Sequence, residues 1–189
     1  MSAQDPPDES RIREIYEVLR RLYPDARSTL LEGSIGKAMD VLIATILSQA
    51  TNDTLSGRAF LALKKTYPTW EDVLSADPAG VEAILAVGGL QKEKTKKIKE
   101  TLARIKADFG CMNLDRLKDW TSSQSFEYLS SLPGVGPKTA ACVIGFGLCK
   151  PAFPVDTHVH RISRRLGLVP RPRRYSQKPC PWISRCRFM

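Results

Sequence analysis

The sequence predicts an all-α fold, and three observations predict it. Apolar residues recur at helical spacing along most of the chain. No run alternates apolar and polar residues with the period of a strand. Gly, Pro, Asn and Asp interrupt the pattern at short intervals, so the helices are short and so are the loops between them.

The first helix is carried by Ile12, Ile15, Tyr16, Leu19, Leu22 and Tyr23 behind a Pro-Asp-Glu-Ser start. The stretch VLIATIL, residues 41–47, is apolar on every side and by periodicity alone would also suit a buried strand. Gly36 and Lys37 lead into a run that reaches Gln49 and no partner strand lies nearby, which makes it a central helix. Helical patterns then follow over residues 54–66, 70–76, 78–86, 92–109, 114–120, 122–132, 137–149 and 157–166. Residues 170–189, PRPRRYSQKPCPWISRCRFM, depart from this pattern. With four prolines, no periodicity and no acid, they read as an irregular basic tail.

The 189 residues suffice for a real core. The start MSAQDPPDES has no apolar stretch of signal-peptide type and the run Val41–Leu47 is too short to cross a bilayer, so a cytoplasmic protein free of membrane is expected. Five cysteines, Cys111, Cys142, Cys149, Cys180 and Cys186, form no disulfide framework. The net charge is +9, but six basic residues of the tail account for most of it and leave +3 for everything before Pro170. Bulk charge is therefore a weak argument for a polyanionic partner.

The stretch SLPGVGPKTA, residues 131–140, carries more. Leu129 and Leu132 close one helix, Pro137 suits the first position of the next, and two glycines lie between. Bare backbone N–H groups at such a helix start accept a phosphate oxygen, although an ordinary helix connection reads the same way. Lys138 stands where the helix dipole disfavours a cation. Desolvated in part by Leu132 and its neighbours, its amine would lose its proton more easily and act as a nucleophile; a lysine that pairs with phosphate explains the residue almost as well. Eighteen residues on, PVDTHVHR places Asp156 at a helix start, where it serves as an N-cap or as a rigidly held catalytic carboxylate. His158 and His160 lack companion ligands, so no metal is expected. Lys92, Lys94, Lys96, Lys97 and Lys99 read as a solvated helix face with long-range attraction for phosphate.

LPGVGPKTA followed by VDTHVHR resembles the helix-hairpin-helix and aspartate signature of the endonuclease III family of DNA glycosylases, over roughly residues 10–169. The resemblance implies two helical lobes with a cleft between them, here a six-helix domain at 30–150 and an incomplete second lobe from 1–29 with 151–169. It makes Lys138 the Schiff-base lysine and Asp156 the catalytic aspartate. LSQAT and GGLQKEK resemble the segments that fill and wedge the gap left by an extruded nucleotide, so Gln49 and Leu90 join Gly134, Val135, Gly136, Thr139 and His158 as DNA-contacting positions. Members with this lysine act as combined glycosylase and abasic-site lyase, typically on oxidised pyrimidines; a monomer acting on double-stranded DNA in the nucleoid is implied.

Two departures accompany the likeness. The family's Cys-x6-Cys-x2-Cys-x5-Cys loop holds a [4Fe-4S] cluster, whereas Cys180 and Cys186 have the last spacing and no two cysteines precede them as required, so no cluster is expected. The tail has the composition that a frameshift or shortened gene would give, and the apolar face of residues 12–23 should then be partly exposed. A noncatalytic DNA-binding module is the competing reading. An adenine-specific mismatch glycosylase fits less well, since those lack a lysine at this point of the hairpin.

Overall fold

The computed structural model describes residues 9–25 and 33–169, in two units: 33–154, and 9–25 with 155–169. Among the described residues every regular element is helical.

The larger unit is built around α2 (Ala38–Ser48), in which every residue from Val41 to Leu47 is buried. A helix that is apolar all round belongs inside a protein, and each buried Leu or Ile contributes about 1.5–3 kcal/mol. Round it lie α3 (Asp53–Thr66), α4 (Trp70–Ser75), α5 (Pro78–Leu85), α6 (Gln91–Phe109), α7 (Ser122–Ser131) and α8 (Pro137–Cys142). Of these, α3, α6 and α8 touch α2 directly. Their starts are written locally. Asn52 caps α3 by accepting from the Leu55 N–H at 2.9 Å, Thr69 with Asp72 and Thr121 with Gln124 form capping boxes on α4 and α7, and Pro78 and Pro137 begin α5 and α8.

Two expected helices are altered. Residues 114–120 form only a 3₁₀ turn, Asp115–Lys118. The Asn113 side chain accepts from the Asp115 N–H, and the Leu117 carbonyl accepts from Lys150 Nζ and Ser125 Oγ. Side chains here take backbone groups that an α-helix would need. The expected helix over 137–149 is α8 followed by a π-helical turn, Val143–Gly147, closed by the Leu148 N–H on the Val143 carbonyl at 2.9 Å. This turn ends at Gly147, where a Cβ would stand 2.7 Å from the Ala38 Cα, so backbone rests on backbone.

The smaller unit holds α1 (Glu9–Leu22) and α9 (Thr157–Arg165), neither with a buried residue. Arg11 donates to the Leu166 carbonyl at 2.8 Å. Ile12, Tyr16, Leu19, Leu22 and Tyr23 are exposed. The tail, with Cys180 and Cys186, lies outside the described residues.

Candidate active site

The hairpin begins where α7 ends. The Leu132 N–H turns back to the Leu129 carbonyl and the Val135 N–H to the Leu132 carbonyl, both at 3.2 Å. Between them Gly134 takes φ +73°, a left-handed conformation that costs a side-chain-bearing residue about 1–2 kcal/mol. Three side chains from elsewhere hold this turn. Thr101 Oγ1 donates to the Pro133 carbonyl at 2.6 Å and Gln49 Nε2 to the Gly134 carbonyl at 3.0 Å. The stem of Lys97 lies against Gly134, its Cγ and Cδ 3.0 Å from where a Cβ would be.

Past the turn, Gly136 precedes α8 without a side-chain cap, and its carbonyl accepts from the Ala140 N–H at 2.9 Å. The first-turn N–H groups are therefore open, as at any helix start lacking a cap. Val135 and Thr139 bury their side chains, at 5% and 4% exposure, so only their backbones can meet a ligand. Lys138 is exposed. Leu132, the neighbour expected to desolvate it in part, is itself buried in the core.

Leu90 sits in the turn between the 3₁₀ segment Ala86–Gly88 and α6, half exposed and with φ 53°. Left-handed backbone is uncommon for leucine and persists only where the surroundings impose it. Lys94 makes two bonds to this turn, one of them the first helical bond of α6. Its N–H donates to the Leu90 carbonyl at 2.9 Å and its Nζ to the Gly88 carbonyl at 3.1 Å.

The lysines of α6 are not one solvated face. Lys94 is 3% exposed; burial, and then the charge of Lys97, push its pKa down. Lys99 Nζ donates to the carbonyls of Val73, Leu74 and Ala76, and its burial likewise lowers its pKa. Lys96 pairs with Glu100 at 3.9 Å. Lys94, Lys97 and Thr101 escaped the reading of the sequence as site residues. The signal was there, since Lys94, Ile98, Thr101 and Ile105 recur at helical spacing and all are buried.

In the smaller unit Asp156 is the N-cap of α9, Oδ1 accepting from the Val159 N–H at 2.8 Å. One carboxylate oxygen is thereby fixed. His158 is exposed, and its Nδ1 accepts from Arg161 at 3.1 Å, since a guanidinium can only donate. With His160, Arg164 and Arg165 this arginine lines an open basic depression. Among the described residues no three His, Cys, Asp or Glu side chains gather as metal ligands. Cys111 and Cys149 are exposed and Cys142 is buried.

Residues 43–179 match the HhH-GPD superfamily of base excision DNA repair proteins. Endonuclease III of Synechocystis is 33% identical over 161 residues, which cover 84% of this chain and 68% of that one. The chain belongs to the endonuclease III family of helix-hairpin-helix DNA glycosylases. The family's Thermotoga maritima member is 40% identical over 129 residues, 68% of this chain and 56% of that protein. An Arabidopsis thaliana relative, 41% identical over 143 residues, is matched over 49% of its length, so the chain spans about half of these two relatives. Its fold is similar to that of an endonuclease III in a non-covalent DNA complex, with TM-score 0.69 and 29% identity over 85% of this chain and 69% of the other. A second endonuclease III, trapped covalently on DNA, gives 0.68 and 28%. No described helix is long and apolar enough to cross a membrane.

Proposed function

We propose that this protein is a bifunctional DNA glycosylase and abasic-site lyase of base excision repair, acting as a monomer on double-stranded DNA that carries oxidised pyrimidines or abasic sites. The observation that carries the proposal is an exposed lysine, Lys138, one residue into a helix that opens directly from a hairpin held by Thr101, Gln49 and Lys97. A nucleophile must be reachable and its frame must not move; both conditions are met.

Chemistry at a base in a duplex requires that the nucleotide leave the stack, and an oxidised, weakly stacked pyrimidine leaves most cheaply. Leu90 wedges the step and Gln49 occupies the gap, while the N–H groups at Gly136 and beyond meet a phosphate. DNA laid over Lys138 excludes water from the reaction there. The lone pair of the amine then attacks C1′, the glycosidic bond breaks, and the base departs with a proton. Asp156, with one oxygen held by Val159, stabilises positive charge on the sugar. The nitrogen, having shed its proton, then expels O4′ from C1′, O4′ takes up a proton as the sugar ring opens, and the iminium so formed acidifies C2′; loss of that proton expels the 3′ phosphate by β-elimination, and water releases the lysine.

Borohydride reduction of the imine on an abasic-site duplex tests this. A covalent adduct is expected with the natural chain and none with Lys138→Ala, while the variant still binds the duplex. Binding without any adduct from the natural chain would make the protein a noncatalytic module.

A further inference from the structure

Lys94 is a lysine where lysines rarely are, 3% exposed, with its ammonium on a single backbone carbonyl. No carboxylate lies within ion-pair distance of it among the described residues. Such a group costs stability, and an apolar side chain of the same length would usually fill the space better. What it does is local. Through its side chain it holds Gly88, six residues back, while its backbone N–H makes the first helical bond of α6, to Leu90. Between those anchors Gly89 and Leu90 both have positive φ, 69° and 53°. An exposed leucine in left-handed backbone would relax if either anchor were released.

We propose that Lys94 is a positioning residue that clasps both ends of the Gly88–Leu90 turn and so keeps Leu90 presented to the DNA. This rests on the reading of Leu90 as the wedge. One turn further along α6 the stem of Lys97 packs on Gly134, and two turns along Thr101 bonds Pro133. Gly134 in turn holds Gln49. A single helix thus sets the spacing between the wedge, the residue that fills the gap, and the backbone-binding hairpin.

Lys94→Met in the full chain tests the clasp, with Lys94→Leu as a second variant of similar volume. In the DNA-free protein, amide exchange over residues 86–91 should quicken by roughly tenfold, the loss of one charged hydrogen bond. Exchange in α2 should not change. Unchanged exchange over 86–91 overturns the clasp whether or not the enzyme reading holds. On a duplex with thymine glycol opposite adenine, Lys94→Met and Leu90→Ala should each slow base release by about tenfold, and the double variant by no more than either alone. In a mismatched bubble, where nothing need be wedged apart, Lys94→Met should keep the natural rate. Additive losses, or an equal loss in the bubble, overturn the positioning role. A natural chain that leaves the paired lesion intact while residues 86–91 loosen as expected counts against the enzyme reading and not against the clasp.

Discussion

Asp156 caps α9 and, on the proposed mechanism, also stabilises the sugar cation, and substitution separates the two. Asparagine caps a helix as well as aspartate does, so Asp156→Asn should keep the bond to the Val159 N–H and melt within a degree or two of the natural chain. It removes the charge, and imine formation should slow by about 100-fold or more. Asp156→Ala should lose the same activity and about 1 kcal/mol of stability besides. Thermal melts and trapping rates on both variants check this; an active Asp156→Asn would leave the residue a cap alone. Tyr128 offers a pH test. Its hydroxyl donates to Asp108 at 3.2 Å among the rings of Phe109 and Trp120, and burial, then the Asp108 charge, raise its pKa above 10.0. A raised phenol stabilises the fold fully below its unfolded value, and that stability is lost as pH climbs from about 10 toward the folded value. Lys94 and Lys99, lowered from 10.5, run the other way, the cost of burying their charge easing as pH approaches that value. Melting the natural chain and Tyr128→Phe side by side isolates the phenol. The natural chain should lose ground to the variant only above about pH 10.

Glycines decide how the elements meet, and two of them should fail differently. At Gly147 an added methyl would strike the backbone of α2, which cannot yield, so Gly147→Ala should cost about 1–3 kcal/mol and several degrees of melting temperature. At Gly134 the obstacle is a flexible lysine stem, but φ is +73°, so Gly134→Ala should cost about 1–2 kcal/mol and distort the hairpin. Its affinity for an abasic-site duplex should fall further than that of Gly147→Ala, as anisotropy titration would show. Helix positions were legible where side chains announced them: the burial of α2 in VLIATIL, the N-cap Asp156 of α9, and the glycine hairpin before Pro137. The 3₁₀ turn at Asp115–Lys118 was not legible, because Lys150 and Ser125, which take the Leu117 carbonyl, come from later in the chain. Long-range side-chain bonds of this kind leave no local period to read. The same holds for the site: Lys138 and Leu90 stand in recognisable motifs, whereas the grip of Lys94 on Gly88 exists only once α6 is formed.

At the scale of the whole molecule, charge and geometry divide the labour. Much of the net +9 lies in residues 170–189, and the hairpin itself is held by neutral donors and a lysine stem, not by a field of cations. Affinity for an abasic-site duplex should still fall with salt, by roughly tenfold or more between about 50 and 200 mM, since phosphates must be met. A titration flat in salt would point to contacts with bases alone. Gly147 gives this picture its mechanical sense. There, just past the helix that carries Lys138, main chain lies on main chain with nothing between, so the turn after α8 can come no nearer the start of α2 than it already is. On the proposed chemistry, then, the backbone under the amine is already seated before DNA arrives, and it is the deoxyribose that must make the journey.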